Sequence, residues 1–262
     1  MGALNIFIDG TWLWFQCGAG QVLANTTDSL DYRFPLDFQK LSDVLLKHVR
    51  EQDEKCDRLG DRYIAISIFT LPNDFDNWPN QYTDLTTEQI EQTKRGVHSR
   101  ETFLQSALDA GFREDAVFRP AVRAWTIRKL VQKRYQEKQV DATVVALLVR
   151  AAITKPGDYH VLIAGDSDLL PAIRIAYPEY TNNVIIASTH PDELKAGHRQ
   201  TSFSLFDFDF TFKPFFLQDN ADKIIAGQHV HRCAECGKVF TLTKPLPKLA
   251  RPYCSSHRTQ KK

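Results

Sequence analysis

The chain has 262 residues, 43% of them hydrophobic and 25% charged, with a formal net charge of +1. That length holds one large α/β domain plus a small appendage, and so balanced a charge gives no global field to attract nucleic acid, which leaves any such binding to a local patch. No apolar run reaches the roughly 18 residues of a membrane span, and ALNIFIDG meets an acid too early for a signal peptide, so a cytoplasmic protein with no membrane partner is expected.

Leu4 to Ile8 is an almost uninterrupted apolar run, as a central parallel strand covered on both faces requires, and it ends in Asp9-Gly10. Thr11, Trp12, Trp14 and Phe15 follow as a loop or first helical turn. Their rings pack as core or wall, or stack on bases. Residues 36–50 carry Phe38, Leu41, Leu45 and Val49 at helical spacing, and 62–69 read as a second strand. From Thr70 to Asp84 the Pro, Asn and Asp content predicts a long surface excursion. Thr86 with Gln89 then resembles a capping box for a helix that stops near Gly111.

Residues 116–122 are a predicted third strand. After it, Arg123, Arg128, Lys129, Lys133, Arg134 and Lys138 make the densest basic stretch before the tail, either a solvated helix face or a surface that tracks phosphates. Residues 139–153, apolar nearly all round, predict a buried helix that opens with Asp141. An acid in a first helical turn is also explained by the macrodipole. Tyr159 to Ile173, YHVLIAGDSDLLPAI, predicts a buried strand, a tight glycine turn and a helix opened by Asp166 and Asp168. A further strand at 183–188 ends in Ser188-Thr189-His190, which could orient a water or phosphate, or cap a helix. Phe206, Phe208, Phe210 and Phe212 alternate with polar residues, the pattern of a closing edge strand, and 220–228 reads as a linker.

Asp9, Asp141, Asp166 and Asp168 come from three segments that can meet at the carboxyl edge of the sheet, where open α/β sheets bind ligands. Four such carboxylates repel one another and call for cations. Hard oxygen donors suit Mg²⁺ or Mn²⁺, and the implied chemistry is metal-dependent phosphodiester hydrolysis with the four acids as catalytic and metal-binding residues.

FIDG at 7–10, KQVDATVVALL at 138–148 and LIAGDSDLLPAI at 162–173, in this order and spacing, resemble the NYN domain, a PIN-like nuclease family, over residues from about 3 to 215. The resemblance implies a three-layer α/β/α sandwich around a mainly parallel sheet, a metal-dependent endoribonuclease, and RNA as partner. Matched motif by motif, Asp9, Asp141, Asp166 and Asp168 would be its metal-binding acids. The chain departs from the pattern at Trp12, where many relatives carry Asn, and near Leu147, where a further acid is often seen. The alternative on the same fold is a catalytically inactive adaptor that binds RNA or protein, with homo-oligomer formation left open.

Cys17 and Cys56 are scattered, whereas Cys233, Cys236 and Cys254 crowd the last thirty residues. Cys233-x2-Cys236, then seventeen residues, then Cys254-x2-His257 is the spacing of a structural Zn²⁺ site, with His229 or His231 as substitute fourth ligands. The expected organisation is a nuclease domain over 1–219 and a zinc ribbon or knuckle over 229–262, whose metal supplies most of the ribbon's folding free energy. Basic residues around it suggest that it holds nucleic acid, serves as a solubilising tail or docks protein.

Overall fold

The computed structural model describes residues 1–18, 35–132, 134, 137–191, 201–227, 229–242, 244–247, 250–254 and 257; Lys133 lies outside them. Strands β1 (Gly2–Asp9), β2 (Cys56–Ser67), β3 (Val117–Phe118), β4 (Tyr159–Ile163), β5 (Val184–Ser188) and β6 (Phe215–Phe216) form one sheet in the order β3-β2-β1-β4-β5-β6. Every neighbouring pair in it is parallel. A parallel sheet needs helices on both faces, because each crossover lays one there. Helices α1 (Gly10–Gln16), α2 (Phe38–Arg50), α3 (Trp78–Gln81), α4 (Thr87–Asp109), α5 (Ala124–Val131), α6 (Gln139–Thr154), α7 (Leu170–Ala176) and α8 (Ala221–Ile224) accompany it.

The strand period of two sorts the core. Leu4, Ile6 and Ile8 of β1 turn to one face, where they join Phe38, Leu41, Leu45 and Val49 of α2, Leu104 of α4 and Ile224 of α8. Phe7 turns to the other and meets Val140, Val144, Leu148 and Ala151 of α6 and Ile173 of α7. Each fully buried Leu, Ile or Phe contributes roughly 1.5–3 kcal/mol. This is the expected three-layer arrangement. The helix α6, predicted as buried all round, buries only that stripe, and Ile153 stands 49% exposed. The capping box of α4 is present, with Thr86 Oγ1 accepting from Gln89 N and Thr86 N donating to Gln89 Oε1. Gly111, at φ +83°, turns the chain out of the helix as a left-handed residue.

Four sequence expectations change. The stretch 70–84 is not only a surface excursion, since Phe75 and Trp78 pack edge to face and join Leu85, Ile90, Val122 and Ile127 in a third small core. Of 116–122 only β3 pairs as a strand, supplemented by a bridge from Thr70 to Ala121. Residues 206–213 are not a strand. Phe210 N donates to Phe208 O, a turn bond incompatible with a ladder; Phe206, Phe208 and Phe210 lean on the core beside α7, Phe212 is buried in the opposite core against Tyr159, and β6 supplies the edge. The predicted linker is core, because Ala221, Ile224 and Ile225 are fully buried and Ile224 O accepts from Asp37 N.

Beyond α8, β7 (Val230–Arg232) and β8 (Val239–Thr241) form an antiparallel hairpin. Val239 belongs to the main core, and Arg232 donates to Gln218 O and to Asp222 Oδ1. The C-terminal module is thus seated on α8 rather than tethered beside it.

Candidate active site and metal centre

The sheet's strand order runs outward in both directions from the β1–β4 pair, so the crevice at the carboxyl ends of these two strands is its topological switch point. Asp9 is the last residue of β1 and shares the α6 face with Phe7 by strand alternation. Asp166 follows β4 by three residues, and Asp141 lies in the first turn of α6. Topology therefore brings the three segments together, and the acids feel one another.

Asp9 is 4% exposed, and its Oδ1 accepts from Trp12 N at 2.9 Å, which caps α1. Burial pushes its carboxyl up to about 7; the Trp12 N–H opposes this, and the charges of Asp141 and Asp166 add to it. Asp141 is raised to about 6, first by burial and then by Asp166, Glu137 and Asp168. Asp166 Oδ1 accepts from Asp168 N at 3.1 Å and so caps the short turn Ser167–Leu169, and Asp168 is exposed. The four acids share a field without closing into a tight shell. Among the described residues, the group whose ligand atoms all lie within 4.8 Å of one another is a different one, in the tail.

Glu137 was not singled out from sequence. Its two oxygens accept from Gln139 N at 2.6 Å and Val140 N at 3.1 Å, so it caps α6 and adds negative charge beside Asp141. An acid just ahead of an apolar helical run was the available signal.

Trp12 and Trp14 are buried, which makes them wall rather than base-stacking platforms. A Cβ at Gly165 would stand 2.2 Å from Trp12 Nε1, so the glycine before Asp166 is required by close approach of the indole. Leu147 lines a separate 220 Å³ pocket with Asn5, Asp61, Tyr63, Arg150 and Lys155, whose lining includes none of the four candidate acids. Ser188 Oγ donates to Ala164 O and ties β5 to the loop after β4, while Thr189 and Thr201 share a hydrogen bond beyond the end of β5. His190 stacks on Phe216 and contacts Asp219.

In the basic stretch α5 ends at Val131. Arg128 is held by Asp84, and Lys129 lies over the Trp125 ring at 5.0 Å. Arg123, Arg134 and Lys138 are exposed; Lys133 is outside the described residues. A second cation went unnoticed in sequence: Arg174 of α7 lines an open cleft of about 620 Å³ with Ser167, Asp168, Leu170 and Pro171.

In the tail, Cys233, Cys236, Cys254 and His257 form the tight cluster and could hold a metal such as zinc. Cys236 Sγ and Cys254 Sγ are 3.8 Å apart, and His257 Nδ1 is 3.3 Å from Cys254 Sγ and 3.7 Å from Cys233 Sγ. Tetrahedral bonds of about 2.3 Å to sulfur and 2.0 Å to nitrogen place ligand atoms roughly 3.5–3.8 Å apart, so the spacing fits Zn²⁺. Burial pushes the Cys233 thiol up, but the N–H groups of Cys254, Cys236 and Glu235 outweigh it and bring it down to about 6, which favours the thiolate that a metal needs. Gly237, at φ +70°, makes the turn after Cys236. His231 packs against Phe240 instead.

No family model and no curated protein sequence matches the chain. A crystal structure of a protein of unknown function from Vibrio parahaemolyticus aligns with 82% of this chain and 91% of that chain, at 15% identity and a TM-score of 0.41.

Proposed function

We propose that the chain is a metal-dependent ribonuclease of the NYN, PIN-like kind, with Asp9, Asp141, Asp166 and Asp168 as its metal-holding acids and a structural Zn²⁺ in the tail. The observation that carries this reading is the meeting of three acid-bearing segments at the β1–β4 switch point, with Asp9 and Asp141 both raised by burial and by their neighbours' charge. Carboxylates so placed are relieved by a cation, and their hard oxygens suit Mg²⁺ or Mn²⁺. Asp9 Oδ1 and Asp166 Oδ1 each accept a capping N–H, from Trp12 and Asp168, which fixes the carboxylates at the crevice.

A bound divalent ion would supply Lewis-acid stabilisation and an activated water for attack on a phosphodiester. The chain's own part is positional. Asp9 is fixed by its bond to Trp12 N, the indole walls the crevice at Gly165, and Glu137 anchors the helix that presents Asp141. Arg123, Arg134 and Lys138 are exposed, Lys138 at the N-cap of the helix that carries Asp141, and in this reading they supply the local basic patch that a neutral chain needs to hold RNA.

The test is cleavage of mixed-sequence RNA by the full chain with Mn²⁺, with and without chelator. Wild type cleaves, while Asp166→Asn loses at least about a hundredfold in rate, as removal of a charge-stabilising group does, with unchanged fold and zinc content. Equal cleavage by both proteins rejects the assignment. RNA binding that needs no divalent ion, with no cleavage by wild type, selects the adaptor instead.

A further inference from the structure

The acids leave one side of their crevice chemically unexplained. Beside Asp168 lies an open cleft of about 620 Å³ lined by Ser167, Asp168, Leu170, Pro171 and Arg174. Arg174 is exposed and has no ion pair among the described residues. Arg174 shares the cleft with Asp168 yet forms no ion pair with it, so its charge is left available to a ligand.

We infer that this cleft is a phosphate-binding subsite for the nucleic-acid strand, in which Arg174 holds a backbone phosphate next to the one at the acids and Ser167 Oγ donates a second hydrogen bond. The inference deepens the ribonuclease reading and rests on it for the identity of the ligand. Six residues of turn and helix put the Arg174 backbone roughly 9 Å along the axis from that of Asp168, a separation that suits a phosphate next to the one at the acids. The guanidinium's planar fork of donors matches phosphate oxygens, which a lysine contacts only as a point charge. The carboxylates repel a bare phosphate, so an anion enters the crevice only where a cation offsets them. Arg174 of α7 supplies such a charge. The side chains of Leu170 and Pro171 in the lining offer a sugar or a base no hydrogen bond, so the subsite holds the strand without reading its sequence.

The experiment is equilibrium binding of a short, mixed-sequence single-stranded RNA to the full chain in chelator, where no cleavage occurs, across a salt series. Arg174→Gln weakens binding by about three- to tenfold and lowers the slope of log affinity against log salt by about 0.7, the value for one lost contact to a single strand. Arg174→Lys keeps the slope and loses part of the affinity, and Ser167→Ala loses affinity with the slope intact. An unchanged slope and affinity for Arg174→Gln overturns the subsite, as does wild type that binds no RNA at any salt. Binding with the predicted slopes but no hydrolysis in Mn²⁺ leaves the subsite standing and removes the nuclease, so the two failures are separable.

Discussion

Gly165 has the edge of the Trp12 indole where a side chain would project, and the consequence is steric before it is chemical. Gly165→Ala must push the indole off the acidic crevice, with an overpacking cost of about 1–3 kcal/mol and a melting temperature lower by roughly 2–4 °C per kcal/mol. A thermal melt equal to wild type would show that the indole yields freely. His160 sets a pH dependence. It is fully buried, its Nε2 hydrogen-bonds Lys155 O, its Nδ1 faces Asn5, and burial lowers its pKa to about 4. A histidine held neutral in the fold but free to charge when unfolded binds more protons in the unfolded chain between about pH 4 and 6.5. Stability is therefore complete above that window and declines as pH falls through it, by about 3 kcal/mol in all. His160→Gln flattens this decline in urea titrations, and an unaltered slope would assign it elsewhere. Asp9 has the opposite sign. Its carboxyl, raised to about 7, keeps its proton in the fold where the unfolded chain has lost it, so its burial costs stability as pH rises from about 4 to 7. Protons and cations then compete for the same oxygens, and Mn²⁺ should raise the melting temperature more above pH 7 than below pH 6, a difference absent in Asp9→Asn.

Among the elements, α6 depends on a side chain outside itself. Glu137 satisfies two of its orphan N–H groups, and Glu137→Ala should cost about 1 kcal/mol and fray the turn that carries Asp141, seen as faster amide exchange at Gln139 and Val140. That cap was not read from the sequence because the cap position itself is Lys138, and the acid reaches it from one residue further out. Elements whose pattern and punctuation agree were legible. β1 and β4 are short apolar runs ended by acid and glycine, and α4 carries its capping box and its terminal glycine. Where pattern and backbone part, the reading failed. Phe206, Phe208 and Phe210 alternate because one side leans on the core beside α7, Phe212 turns into the opposite core, and no ladder bonds them. Asn220 to Ala226 look polar enough for a linker, but Ala221, Ile224 and Ile225 fill the space beside α2. The acids were legible as residues, and their placement followed from strand order; Arg174 was not, because a lone arginine in a helix gives no signal until a cleft forms beside it.

For the molecule as a whole, the tail is joined to the body by packing. Val239 is fully buried in the main core, and Arg232 reaches back to Gln218 and Asp222. If metal binding organises Cys233, Cys236, Cys254 and His257, its free energy is transmitted to α8 through the hairpin. Cys254→Ser is therefore expected to lose zinc and to lower the melting temperature of the entire chain in a single transition, since losing the burial of Val239 alone removes roughly 1.5–3 kcal/mol. Two separate transitions, with the upper one unmoved, would show that the body does not feel the tail.

The strand order has a further consequence during synthesis. β1 finds β2 soon after it is made, but its other neighbour arrives much later, as the bond from Ala3 N to Asp158 just ahead of β4 spans 155 positions. At ribosomal speed β1 waits roughly 5–20 s between β2 and β4 with one edge bare, a template for wrong pairing. Over that interval Asp9 stands at the end of a strand with no Asp166 beside it. The crevice thus comes into existence only once β4 and the turn after it have been made.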